Sequence, residues 1–242
     1  MKQVPITKEL LDTFRGSSQT LIMEGYCKYF SDVTVYTDGN GYATVAVTGE
    51  ETRECCISGE DVSFAESLIT SLNGQIKFCG VSPVITEYLR KKYRFEWETN
   101  CYLYVWNGKP LAYECKCEIR PIDATYAAEI SAGTPYGADI EDIIRCIAVH
   151  PSAAAYVDGK PVCWCLLHME GSLGMLYTLP LYRRRGYALE VMTALTDKVI
   201  ERGDIPFAYI VRDNVASLNL ACKYNLEEAG KADYFQINLQ KN

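Results

Sequence analysis

The segment from Ser172 to Ala188, SLGMLYTLPLYRRRGYA, constrains this chain more than any other. An apolar run with strand character, Leu173 to Leu179, stops at Pro180. A turn carrying Arg183, Arg184, Arg185, Gly186 and Tyr187 follows, and a helical pattern begins at Ala188. A turn that opens a helix presents backbone N–H groups with no intrahelical partner at the positive end of the helix dipole. Such a place binds phosphate. Gly186 lets the backbone approach a ligand closely, and the arginines carry a charge that does not titrate away. The plainer alternative is a solvated basic turn. No G-K-[ST] is present, and no G-x-G-x-x-G follows a strand, so the two commoner phosphate loops are excluded.

The surroundings make the arginine run stand out. Formal net charge is −7 over 242 residues, so three adjacent arginines form a local basic spot in an acidic protein, and a broad nucleic-acid surface is excluded. A length of 242 residues suits one large domain or two modest ones. No apolar run approaches the roughly 20 residues of a membrane helix. The N-terminus lacks the apolar centre of a signal peptide. Of the 11 cysteines, Cys55 and Cys56 are adjacent, Cys115/Cys117 and Cys163/Cys165 are C-x-C pairs on strand-like segments, and no C-x-x-C occurs. This spacing suits neither metal nor a disulfide framework. The expectation is reduced, mostly buried thiols, no metal, no membrane and a cytoplasmic protein.

Along the chain, residues 6–15 have helical spacing in Leu10, Leu11 and Phe14. Val33 to Tyr36 and Tyr42 to Val47 read as strands around Asp38-Gly39-Asn40-Gly41, a hairpin signal. Ser63-x-x-Glu66 reads as a capping box ahead of a stripe of Phe64, Leu68 and Leu72. Ile76 to Val81 is a strand, and Ser82-Pro83 starts a helix with Val84, Ile85, Tyr88 and Leu89 on one side. Phe95 to Trp106 is a long strand region, bent or interrupted near Asn100. The turn-rich Asn107-Gly108-Lys109-Pro110 marks a domain boundary. Beyond it come a strand at Cys117 to Pro121, a helix from Asp123, a loop over 131–139, and a helix with Ile140, Ile143, Ile144 and Ile147 on one face. Ala153 to Val157 and Val162 to Leu167 form a hairpin across Asp158-Gly159. After the arginine turn, Ala188, Val191, Met192, Leu195 and Val199 mark an amphipathic helix ended by Gly203. A strand (Phe207 to Val211), a helix capped by Asp213-Asn214 and a strand (Ala232 to Leu239) complete the chain. Strands alternating with helices predict an α/β fold around a mixed sheet.

Arg183-x-x-Gly186-x-Ala188, directly after a strand and before a helix, resembles the pyrophosphate loop of the GNAT acyltransferase superfamily. GKPVCW (159–164) and TLP-x-YR (178–183) resemble the C-terminal domain of glycine N-acyltransferase and its bacterial relatives. The halves also echo each other: VYTDG (35–39) parallels YVDG (156–159), and the helix from Ser63 parallels the helix from Ala188. The resemblance implies tandem GNAT-like units, a divergent one over 1–109 and a complete one over 110–242. In the first, Ser58-Gly59-Glu60-Asp61 stands where the second has its arginines. Two acids would repel a pyrophosphate, so this unit is expected not to bind coenzyme A.

By the same resemblance, the co-substrate is acetyl-CoA or another acyl-CoA. Arg183, Arg184, Arg185, Gly186, Tyr187 and Ala188 hold its pyrophosphate. The backbone of Tyr177, Thr178 and Leu179 pairs with the pantetheine arm, and Asn214 contacts it as well as capping a helix. An amine then attacks the thioester directly. The implied activity is an acyl-CoA-dependent N-acyltransferase moving an acyl group, expected to be acetyl, to a small-molecule amine or amino acid. The acceptor-facing segment is expected within Ser131 to Ile147, and a homodimer stays open. Three departures bear on catalysis. Ser172 stands where glycine N-acyltransferases carry a glutamate base, Ala221 where many relatives carry a tyrosine acid, and Leu181 replaces a glutamate in the loop. Glu170, His168 and a water held by Ser172 are the candidates for proton removal, with Glu170 and Ser172 taken as the catalytic pair. Cys222 reads as a thiol acid or, more plainly, a buried structural cysteine. The missing groups favour a second reading, a non-catalytic acyl-CoA binder or sensor, and the arginine run alone a third, a nucleotide-binding protein.

Overall fold

The structure is a computed structural model that describes residues 1–39, 45–49, 53–109, 117–134 and 138–239. The predicted turn at Asn40-Gly41, Pro110 of the boundary turn, Cys115 and positions 135–137 of the predicted loop lie outside these residues. The described residues form two compact units, each discontinuous in sequence: Met1–Leu103 with Ile210–Asn214 and Glu228–Asn242, and Tyr104–Tyr209 with Val215–Glu227. Among them no helix is long and apolar enough to cross a membrane.

The first unit comprises β1 (Lys2–Val4), α1 (Lys8–Arg15), α2 (Leu21–Tyr29), β2 (Val33–Thr37), β3 (Val45–Gly49), β4 (Glu54–Ser58), α3 (Val62–Ser71), β5 (Gly74–Val81), α4 (Pro83–Lys92) and the start of β6 (Phe95–Trp106). Thr7 caps α1 by accepting from the Leu10 N–H, and Leu10 and Phe14 bury its apolar stripe. The sheet runs β1-β2-β3-β4-β5 and then takes β12 (Leu226–Leu239) from the end of the chain. β4 and β5 pair in parallel, while their other neighbours are antiparallel. Phe235 of β12 stacks on Phe78 at 4.8 Å and on Phe95 at 4.3 Å, in a core with Leu68, Ile85 and Leu89.

Several local expectations change here. The α3 cap is Asp61, whose Oδ1 accepts from the backbone N–H of Ser63 and Phe64. Ser63 lies inside the helix, and Glu66 turns to Tyr88 and Lys92, so there is no capping box. A helix needs one cap, and a carboxylate at the preceding position reaches the free N–H groups first. On α4, Ile85 and Leu89 are buried but Val84 is 45% exposed, so the stripe is narrower than the run of apolar residues suggests. β6 is one uninterrupted strand of 12 residues with Asn100 inside it. β12 starts at Leu226, six residues before the expected start at Ala232. β1, α2 and β4 have no counterpart in the reading of the sequence.

The second unit carries β7 (Glu118–Arg120), α5 (Ala127–Gly133), α6 (Ile140–Val149), β8 (Ala153–Val157), β9 (Lys160–Leu167), β10 (Leu173–Thr178), α7 (Tyr187–Glu201), the start of β11 (Phe207–Val211) and α8 (Val215–Lys223). Its four-stranded antiparallel sheet has the order β10-β9-β8-β7. The β8–β9 turn is Asp158-Gly159, with φ of 50° and 74°, the left-handed pair that a two-residue hairpin requires. Alternation along β9 sends Cys163, Cys165 and Leu167 to one face and Trp164 and Leu166 to the other. α7 packs on β8 and β9 through Val191, Leu195 and Val199. Ile143 and Cys146 of α6 join Trp164 and Leu166 in a second core. Ile140 and Ile144 are 46% and 42% exposed, so α6 exists as expected but buries a different face.

Candidate functional site

The site is built on β10 and the turn that follows it. Among the described residues β10 is an edge strand of its sheet, paired only with β9. Gly174 pairs with Leu166 and Tyr177 with Trp164, so β10 spends one residue more than its partner between these points. This is a β-bulge, and Met175 within it has a φ of 50°. A bulge turns peptide groups out of the ladder and re-aims them. Gly174 lets the His168 ring lie against the strand, since a Cβ would stand 2.0 Å from its Nε2. Its carbonyl lies 3.3 Å from the buried Cys165 thiol. Below the bulge, Leu179 N–H donates to the Val162 carbonyl and the Thr178 hydroxyl donates to Cys163 Sγ at 3.0 Å. Burial pushes the Cys163 thiol up to about 12, so it serves as an acceptor rather than a nucleophile.

Pro180–Tyr182 make one tight turn, and then Arg184 (φ 61°) and Gly186 (φ 93°) both take the left-handed conformation. α7 starts at Tyr187, one residue before the expected start. No side chain caps it. The first-turn acid, Glu190, is buried and turned away: its Oε2 accepts from the Cys117 N–H at 3.1 Å and from the Cys117 thiol at 2.7 Å. The N-terminal end of α7 is thus left without a side-chain cap, the arrangement in which backbone N–H groups and the helix dipole suit an anion. α3 is the opposite case, since its N–H groups are already satisfied by Asp61. Arg183 Nε donates to the Thr178 carbonyl at 3.0 Å, with the guanidinium 5.4 Å from the Tyr177 ring centre. Arg183 thus braces the turn against β10. Arg185 lies 5.5 Å from the Tyr182 ring centre, and Tyr182 stands against Tyr187 at 6.2 Å. Arg183, Arg184 and Arg185 are exposed. Asn214 belongs to the other compact unit, directly before α8, and its N–H donates to the Val211 carbonyl.

Glu170 and Ser172 are brought together. The Ser172 hydroxyl is 2% exposed and donates to Glu170 Oε1 at 2.5 Å. Two positions separate them, and a turn brings them together: Gly171 (φ 89°) donates to the His168 carbonyl and His168 N–H donates to the Ser172 carbonyl. Ser172 is thus an orienting donor and Glu170 the acceptor-only group, half-buried at the end of the site strand.

A residue that the sequence reading passed over supports this turn. His150 at the end of α6 is 6% exposed, with Nε2 3.0 Å from the Met169 carbonyl and Nδ1 3.0 Å from Arg202 Nη1. A guanidinium only donates, so Nδ1 accepts and the proton sits on Nε2, facing Met169. Arg202 in turn donates to Asp204 at 2.6 Å. Burial holds the His150 ring below the ordinary histidine range. A lone histidine after Ile-Ala-Val gives no sequence signal, and packing alone assigns its role. Nearby, burial and the Glu170 and Asp142 charges push the Cys146 thiol up to about 12.

Tyr224, three positions after Ala221, is 3% exposed and its phenol donates to the Met192 carbonyl at 2.5 Å. Burial raises its proton affinity well above that of a free tyrosine, which makes it a structural tie and not a proton donor. Cys222 is exposed, contrary to the plainer expectation of a buried thiol, because α8 turns Ala221 inward and Cys222 out. Seven of the ten described cysteines are buried and all are free, in keeping with packing groups. Among the described residues no three His, Cys, Asp or Glu side chains are placed to hold a metal.

Comparison with known proteins agrees with this architecture. Residues 157–235, which span β9 to most of β12, match the family model described as FR47-like protein. A glycine N-acyltransferase of Pongo abelii is 29% identical over 114 residues, covering 45% of this chain but only 38% of that protein. The crystal structure of a Drosophila protein matches with a TM-score of 0.77 at 15% identity, over 97% of this chain and 98% of the other. A tandem GNAT protein from the clavulanic acid biosynthesis pathway matches with a TM-score of 0.54 at 8% identity, over 100% and 99% of the two chains. At such identities the structural matches speak for the fold. The chain is a GNAT-fold protein, mixed α/β around a mixed sheet, with the FR47-like segment in its second half.

Proposed function

We propose that this protein is an acyl-CoA-dependent N-acyltransferase that transfers an acyl group, acetyl by preference, to the amine of a small molecule or amino acid. One observation carries the reading: an uncapped helix start at Gly186–Tyr187 directly follows a bulged edge strand. The backbone N–H groups at the start of α7 and the exposed guanidiniums of Arg184 and Arg185 suit a pyrophosphate. The open edge of β10 over Tyr177 to Leu179 suits the amides of the pantetheine arm, as an added strand. The peptide groups of the bulge suit the thioester carbonyl, where negative charge develops in the transition state.

In this reading the acceptor amine must reach the thioester uncharged, although most amines are protonated at about pH 7. Glu170, held by Ser172, takes the proton, directly or through one water. The amine nitrogen bonds the carbonyl carbon, the C–S bond breaks, the nitrogen releases its second proton to solvent as the amide forms, and the coenzyme thiolate takes one up from solvent. A non-catalytic acyl-CoA binder is the second reading, favoured by the burial of the Tyr224 phenol. Calorimetric titration with acetyl-CoA, free CoA and ATP tests the site. Micromolar binding of the coenzyme forms without ATP is expected, and no binding of either coenzyme form removes the proposal. Turnover of acetyl-CoA against an amine panel then separates enzyme from binder.

A further inference from the structure

The first unit holds a groove of its own. The β4–β5 ladder joins Glu54 to Lys77 and Cys55 to Phe78, yet the strands run on to Ser58 and Val81. On their outer sides both stay paired to the end, Ser58 with Val45 and Val81 with Asp233. Between the two strands the ladder stops short of both ends. A groove of about 710 Å³ opens at this point, with Ile57, Ser58, Glu60, Gly80, Glu228 and Lys231 among its lining residues. That size falls within the range of about 300–1,000 Å³ typical of small-ligand sites. Gln19 braces one wall: its Nε2 donates to the Ala229 carbonyl at 2.8 Å, and a Cβ on Gly230 would stand 2.5 Å from the same atom.

The chemistry of the groove is specific. Lys77 N–H donates to the Arg53 carbonyl, and peptide groups alternate along a strand, so Arg53, Cys55 and Ile57 turn theirs toward β5. Ile57 is the first of these beyond the ladder. An extended amide chain laid there continues the sheet. The two helices that begin at the groove offer no anion seat. Asp61 occupies the N–H groups of α3, and Ser82 accepts from Ile85 at the start of α4, where Pro83 has no N–H. Among the charged lining residues Glu60 and Glu228 outnumber one lysine, Lys231. The balance repels phosphate and favours a cation.

We propose that this groove binds an extended, amide-bearing ligand with a positively charged amine: a short peptide with a free amino terminus, laid along Ile57 with its ammonium toward Glu60 and Glu228. This is a second site, independent of the α7 reading. The test is calorimetric titration of the full chain with Ala-Val-Ala amide, its N-acetyl form and CoA. The free-amine peptide should bind, and acetylation should weaken it about tenfold or more. Glu60→Lys and Glu228→Lys, both at exposed positions, should each weaken it about tenfold with unchanged circular dichroism. Gly186→Glu should leave peptide binding unchanged while removing CoA, so failure here and failure of the acyltransferase reading are distinguishable. Equal binding of the acetylated peptide, indifference to both charge reversals, displacement of the peptide by CoA, or no binding at millimolar peptide would each overturn the proposal.

Discussion

Gly186 concentrates the residue-scale argument. Its φ of 93° puts it in the left-handed region, where an L side chain costs about 1–2 kcal/mol. Gly186→Ala should therefore lower the thermal midpoint and weaken acetyl-CoA binding modestly, while Gly186→Glu should abolish binding with the fold intact, because a carboxylate then stands at the phosphate seat. Unchanged affinity in Gly186→Glu would remove the basis for the site. Glu170 and Ser172 separate by role in the same way. If Glu170 takes the proton, Glu170→Gln should slow kcat by about 10²–10⁴-fold, whereas Ser172→Ala, which removes only an orienting donor, should cost less than about tenfold. Reversed magnitudes in steady-state kinetics would make Ser172 the direct participant.

Elements communicate through His150, which ties the end of α6 to the turn before Glu170 and to Arg202 after α7. Removing the ring leaves the Met169 carbonyl and a guanidinium N–H without their partner, so His150→Leu should cost about 1–3 kcal/mol. The pH dependence has a definite sign. Burial and the Arg202 charge lower the His150 proton affinity in the folded state, against the opposing Glu170 and Asp204 charges and the Met169 hydrogen bond. The unfolded chain then takes up a proton at about pH 6.5 that the folded chain refuses. This contribution is complete above that pH and lost as pH falls through it toward the lowered folded value. The thermal midpoint should drop between about pH 7.5 and about pH 5.5 by more in the native protein than in His150→Leu. An equal drop in both would show that other groups carry the acid sensitivity.

At the scale of the whole molecule, neither unit is a continuous length of chain. The first borrows β12, and Phe235, Ile237 and Leu239 sit in its core with Phe78 and Leu68. A fragment of residues 1–109 lacks that strand and exposes the edge of β5 that pairs with β12. It should show no cooperative unfolding transition by circular dichroism, although every helix of the unit is present in it. A cooperative transition would mean that β12 is dispensable. In the full chain, Phe235→Ala should cost about 3–5 kcal/mol, the range for a buried aromatic.

Much of this was legible in sequence because it is local. Caps, glycines with positive φ and apolar periodicity determine α1, α4, α7 and the Asp158-Gly159 hairpin, since each rests on contacts within a few residues. The arginine turn was legible for the same reason, as strand, turn and helix start are consecutive. Where two local signals competed, at Asp61 and Ser63, or where a helix could bury either of two apolar faces, as in α6, neighbours distant in sequence decided. Only the tertiary structure placed His150 under the Met169 carbonyl, turned Glu190 away from the helix start it could have capped, closed Ser172 onto Glu170 and seated β12 beside β5. Sequence alone determined the strand, turn and helix start at which we propose that a phosphate sits. Packing decided which carboxylate Ser172 holds at the other end of β10, because side-chain burial and partner choice depend on residues brought together from anywhere in the chain.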